Sequence, residues 1–198
     1  MFKKLSLIAL ALPLVFLAAC AKDQTGGGAT MLPDVIKIGY IGPLTGNAAA
    51  YGQDVKHGIE IYFEEHPDIA GKPVQMVWED GKCNGQDAAN AAQKLINIDK
   101  VQVIIGGQCS GETLAAAPIA EANKVLVIST LSSSPAVTTA GDYIFRNYPS
   151  DMKVSETMVN YVVKNHQKVA MITEQTDFGQ GYRKAINEHL TNKGKTDM

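Results

Sequence analysis

The chain has 198 residues, a formal charge of −2, 45% hydrophobic residues and 19% charged ones. That balance is ordinary for a soluble globular protein, and the near-neutral charge excludes the basic footprint of a nucleic-acid-binding protein. Length alone allows one domain, or one and a fraction.

Lys3 and Lys4 precede an almost wholly apolar run from Leu5 to Ala19, closed by Leu17-Ala18-Ala19-Cys20. This is the three-part layout of a secretory signal, and the run is shorter than the ~20 residues a membrane-spanning helix needs. Small residues directly before a cysteine resemble a bacterial lipobox, which implies that 1–19 is removed and Cys20 carries the lipid. A plain secretory signal with an incidental Cys20 is the alternative. Cleavage that removes both lysines takes the charge of −2 to about −4. Residues 20–34 are polar, small and glycine-containing, the composition of a flexible tether.

The body then alternates strand and helix patterns. Val35–Ile41 reads as a strand, Gln53–Glu65 as a helix, Val74–Trp78 as a strand and Asp87–Ile98 as a helix. Val101–Ile105, Gly111–Ala122 and Val125–Ile128 repeat the pattern, followed by a short strand at Tyr143–Arg146. Lys153–Asn165 is helical, Lys168–Thr173 a strand and Gln180–Asn192 a helix. Such alternation predicts βαβ units, a parallel sheet and right-handed crossovers that cover both faces.

In open parallel sheets ligands bind beyond the carboxyl ends of the strands. That rule selects the loops 42–51, 80–85, 106–110, 129–135 and 174–178. Ser110 stands before a helix and is placed as its N-cap; a helix start offers open N–H groups to an anion such as a carboxylate. The hydroxyl-rich Ser129–Pro135 loop lies on the same edge, so Ser110 with Ser132 and Ser133 supplies neutral donors for a carboxylate, or else these serines are turn and cap residues only. Cys83 and Cys109 also fall on this edge. In an exported chain they form either a disulfide or two buried thiols. The four histidines sit on polar helix faces, where solvation is expected. No phosphate loop, metal-ligand spacing, Ser-His-Asp ordering or G-x-S-x-G elbow is present, and Asp54, Asp80, Glu112 and Asp177 have no nucleophilic partner. The reading is therefore not an enzyme, with no cofactor and no metal.

The run from Ile36 to Gly46 followed by Tyr51-Gly52 resembles the start of the branched-chain amino-acid (leucine/isoleucine/valine) binding proteins of ABC transporters. Asp80…Cys83 with its alanine-rich helix, Ile104-Ile105-Gly106…Cys109-Ser110, the Phe145–Asp151 stretch and Phe178-Gly179-Gln180-Gly181 resemble that family in the same order. The resemblance implies an α/β Venus-flytrap of the type I periplasmic binding protein class. On that pattern 35–148 is the first lobe and 149–198 the start of a second, truncated lobe. It implies a Cys83–Cys109 disulfide, a ligand carboxylate on Ser110 and Leu131-Ser132-Ser133, and cleft-lining aromatics at Tyr51 and Phe178. Phe178 stands where the family commonly has tyrosine, and Leu131 where it commonly has a small residue. The implied function is capture of a small amino acid outside the cytoplasm by a lipid-anchored monomer that delivers it to a membrane permease; a sensor domain is the alternative. The ammonium-binding acid is expected beyond residue 198, and weak or no ligand binding is expected of the chain as it stands.

Overall fold

The computed structural model describes residues 32–195. The expected signal and lipidation site at 1–20, and most of the expected tether, lie outside the described residues.

Strand β1 (Ile36–Gly42) is apolar almost throughout and buried along its length, as a central parallel strand covered on both faces must be. Helix α1 (Ala49–Glu65) follows, then the two-residue β2 (Asp68–Ile69) and β3 (Lys72–Asp80). Helix α2 (Gly85–Lys94) starts on Asn84, whose side chain accepts the N–H groups of Gln86 and Asp87, and it runs into a wider turn at Leu95–Asp99. β4 (Val103–Gly106), α3 (Ser110–Asn123), β5 (Leu126–Ser129) and β6 (Ile144–Arg146) complete the sheet. Helices α4 (Asp151–Asn165) and α5 (Asp177–Asn192) start on Ser150 and Thr176, which cap them.

The strand order is β2-β3-β1-β4-β5-β6. All neighbours are parallel except β2 on β3, which is antiparallel. The wholly parallel sheet expected from the strand–helix alternation is thus corrected to a mixed one. The turn at 70–71 has positive φ at both residues and folds β2 back on the edge, a hairpin too short to leave a period-2 signature.

Helices cover both faces. On one, the Tyr40 hydroxyl donates to the Gly52 carbonyl of α1 at 2.9 Å and Lys56 lies over the Trp78 ring. On the other, Ile41, Ile104 and Val127 pack with α2 and α3 in one buried cluster. Each such buried aliphatic side chain contributes about 1.5–3 kcal/mol. A second, smaller cluster joins α4 to α5 through Val159, Ile186 and Leu190.

The expected strand at Lys168–Thr173 is not one. The segment has no regular structure, and no described strand pairs with it, so its backbone forms no ladder. Ile172 is 99% exposed, and an apolar groove runs from Met158 and Val162 along Val169–Ile172. β-branched composition sets extension, whereas a strand also needs a partner. Amide hydrogen exchange is therefore expected within about tenfold of free-peptide rates at 168–174, against protection of a thousandfold or more, roughly, in β1 and β4. Protection of 168–174 equal to that of β1 would refute this.

Candidate functional site

Counting only its parallel strands in chain order, the sheet runs 2-1-3-4-5, the doubly wound order whose crevice opens where the order reverses. Here that point lies between β1 and β4. The loops leaving their carboxyl ends, with the loop after β5, build one continuous rim.

The Gly107 carbonyl is the hub. It accepts from the hydroxyls of Ser129 at 2.6 Å, Ser132 at 3.0 Å and Thr113 at 3.0 Å. Thr113 and Ser132 also touch each other at 2.7 Å. The Ser134 N–H donates to Ser110 Oγ at 3.2 Å, which joins the 106–110 loop directly to the 129–135 loop. Ser110, Ser132, Ser133 and Ser134 are all buried. Two turns 20 residues and more apart in sequence thus meet at one place, as the carboxylate reading requires.

The donors differ from those expected. Ser110 is the first residue of α3 rather than its cap; Cys109 takes the cap position, because Glu112 reaches back to the Cys109 N–H. The hydroxyls of Ser132 and Ser133 are spent internally, Ser133 Oγ donating to Asp151 Oδ2 at 2.9 Å. The N–H groups of Ser110, Gly111, Leu131 and Ser133 make no backbone hydrogen bond among the described residues. Backbone amides, oriented by the hydroxyls, are the groups available to an anion.

Glu112, an acid without a nucleophilic partner in the sequence, is the residue on which the rim is built. It is fully buried, and its carboxylate accepts three amides, those of Cys83, Gln108 and Cys109, each at 2.9 Å. Burial pushes its carboxyl above the ordinary range, against the hydrogen bonds from Cys109, Cys83 and Gln108. The spacing from Cys109 to Glu112, an acid at the third helical position, was the signal in the sequence. Cys83 and Cys109 form a disulfide with Cα atoms 5.3 Å apart, within the usual range. Cys83 is held at φ 56°, in the left-handed region that non-glycine residues rarely adopt. The bond and Glu112 together clamp that loop to α3.

Asp80 sets the opposite side. It accepts the Leu44 N–H at 2.8 Å, the Lys82 N–H at 3.0 Å and the Thr45 hydroxyl. Burial would raise its carboxyl, but the hydrogen bonds from Thr45, Leu44 and Lys82 outweigh it and hold the group below the usual range. Beneath the rim, Gln108 is buried with its oxygen on the Thr130 hydroxyl, while its Nε2 has no hydrogen-bond partner among the described residues.

The aromatics are placed less tightly. Tyr51, on the first turn of α1, is 63% exposed, and Phe178, on the first turn of α5, is 44% exposed. Leu131 is half-buried in the serine loop. Asp151, missed in the sequence, is buried at the start of α4, donates its N–H to the Ser133 carbonyl at 2.9 Å and receives the Ser133 hydroxyl. Burial raises its carboxyl despite that hydroxyl and Arg146. Of the histidines expected to be solvated, His189 instead sits partly buried against the Met152 carbonyl at 2.8 Å.

A doubly wound lobe with a hydrogen-bonding rim at its switch point is the architecture of a small-molecule binding protein. The chain belongs to the periplasmic binding protein family, whose model matches residues 35–198. A Leu/Ile/Val-binding protein homolog 3 of Brucella melitensis biotype 1 is 29% identical over 191 residues, 93% of this chain and 52% of its own length. A leucine binding protein of Thermotoga maritima MSB8 superposes with a TM-score of 0.75 at 34% identity, covering 81% of this chain and 47% of that one. A solute binding protein of an ABC transporter from Rhodopseudomonas palustris BisB5, in complex with 3,4-dihydroxy benzoic acid, gives 0.74 at 30% identity, covering 82% and 46%. The chain spans about half the length of the curated relatives it matches.

Proposed function

We propose that this chain is the ligand-gripping part of an extracytoplasmic solute-binding protein. It holds the carboxylate of a small amino acid, branched-chain or a related aliphatic one, for delivery to the membrane permease of an ABC importer. It binds and does not catalyse. Residues 1–19 are its export signal, Cys20 its lipid anchor and 20–34 its tether. Residues 35–148 form the first lobe, and 149–198 begin a second lobe that closes over the ligand in the manner of a flytrap. It acts as a monomer.

The observation that carries this reading is the bond from the Ser134 N–H to Ser110 Oγ, which brings the open amides of two turns to one point of the switch-point edge. The family supports it, as do relatives named for leucine and for Leu/Ile/Val. The relative that holds a dihydroxybenzoic acid shares the carboxylate and lacks the ammonium.

The expected affinity is weak, with Kd on the order of 1 mM, as for a ligand held through a few backbone amides on an open edge. The test is a titration of the 15N-labelled chain with L-leucine, followed by NMR. Shifts are expected at the amides of 110–111 and 131–134. A rim that does not respond at saturating leucine would refute the assignment.

A further inference from the structure

Ser133 and Asp151 are joined twice. The Asp151 N–H donates to the Ser133 carbonyl and the Ser133 hydroxyl donates to Asp151 Oδ2, each at 2.9 Å. The Ser133 amide, one of the open groups of the rim, therefore belongs to a residue tied directly to a buried acid. Arg146, at the end of β6, donates to the Ser134 carbonyl at 2.7 Å and to the Thr138 hydroxyl at 2.6 Å. It is near enough to favour the ionised acid, yet makes no ion pair with it among the described residues. From α5, Tyr182 is close enough to feel the Asp151 charge, and His189 meets the Met152 carbonyl at 2.8 Å. Elsewhere on the rim stand Glu112, buried under three amides, and Asp177, exposed, with Oδ2 2.7 Å from where a β-carbon on Gly111 would lie.

An ionised carboxylate can only accept, so the Ser133 hydroxyl is turned toward Asp151. A protonated one can donate. The same contact then runs from the Asp151 O–H to Ser133 Oγ, and the serine's own hydrogen is free to turn to the rim. The backbone tie holds the two residues in register in both states. Charge works in the same direction. Ionised, Asp151 cancels Arg146; protonated, it leaves the guanidinium unopposed beside the open amides. Burial already lifts the Asp151 carboxyl above its ordinary range, against the Ser133 hydroxyl and Arg146. A second carboxylate arriving beside it lifts it further.

We propose that the rim takes up a proton as it takes up a carboxylate: Asp151 receives the proton from solvent, and the Ser133 hydroxyl turns from Asp151 to the ligand. This rests on the carboxylate reading above and adds a pH-dependent affinity to it. Ligand is held more tightly where the medium is acidic and released toward neutrality.

The test is the NMR titration with L-leucine, run at about pH 5 and about pH 7 on the chain, on Asp151→Asn and on Ser133→Ala. Leucine keeps both of its charges over that range, so a difference belongs to the protein. The chain is expected to bind about fivefold more tightly at the lower pH. The amide of Asp151→Asn donates to Ser133 at any pH, so this variant is expected to bind at neutrality as tightly as the chain does in acid, and within about twofold at both. Tightening at neutral pH is a result that loss of packing does not produce. Ser133→Ala keeps the acid and lacks the hydroxyl, and its pH response is expected to shrink to about twofold. Equal binding by the chain at both pH values overturns the proposal. So does a full pH response in Asp151→Asn, which would then belong to Glu112, Asp177 or a histidine. If Asp151→Asn does not fold, a full response in Ser133→Ala overturns it instead. If leucine moves no rim amide at either pH, the carboxylate reading falls first and takes this inference with it.

Discussion

Replacing Glu112 by alanine is expected to destabilise the fold by about 3 kcal/mol, because it strands one buried N–H group and two partly buried ones, which water can reach in part. The donors are the amides of Cys83, Gln108 and Cys109, drawn from two loops that nothing in the local sequence brings together. Glu112→Gln keeps the shape and one acceptor, so its loss should be about half as large. Urea unfolding of the three proteins measures this, and an alanine variant within about 1 kcal/mol of wild type would show that the carboxylate is dispensable.

The same residue fixes the sign of a pH effect. Its carboxyl lies above the ordinary value of 4.5 in the folded chain, chiefly through burial. A raised folded value means that the native state holds the proton better than the unfolded one. The associated stability is complete below the unfolded value and is lost as pH rises through the folded one. Glu112→Gln carries no such proton, so its stability should fall less steeply with pH over that window. Asp151, raised for the same reason, leaves a residual slope of the same sign. Asp80 acts oppositely, since its lowered carboxyl loses stability as pH falls through its folded value.

The second large effect is expected at the disulfide. Opening it in a Cys83→Ser, Cys109→Ser variant frees a loop of sequence separation 26, which the chain-entropy relation sets at about 3.5 kcal/mol. Relaxation of the left-handed Cys83 backbone, which costs roughly 1–2 kcal/mol, offsets part of that loss. Because Glu112 holds the amides of both cysteines, the two losses should not add. A double-mutant cycle is expected to show a coupling of about 1 kcal/mol or more. Simple additivity would mean that bond and carboxylate steady different parts of the rim.

Much of the binding edge was legible in one dimension because the rules that place it are local or topological. Alternating strands and helices put Ser110 and Ser133 at carboxyl ends, and a carboxyl end is where an open sheet binds. Export left the cysteine pair as a disulfide or two thiols, and the family pattern implied the bond that the structure has. Element boundaries moved by two to four residues, mostly where a cap decided them: Asn84 starts α2 before the apolar periodicity begins, and Thr176 starts α5 likewise.

What composition and pattern determined, then, is the α/β architecture, the edge that binds and the residues of its loops. Those follow from apolar periodicity and turn chemistry, which are properties of neighbours along the chain. Tertiary structure alone decided which groups on that edge remain open. The serine hydroxyls are consumed by the Gly107 carbonyl and Asp151, Glu112 is sealed under both cysteines, and Asp177 is delivered to Gly111 from 66 residues away. Hydrogen-bond satisfaction is a sum over partners in space, and Lys168–Thr173 makes the same point in reverse. Its residues favour extension, yet with no described strand beside it the ladder does not form.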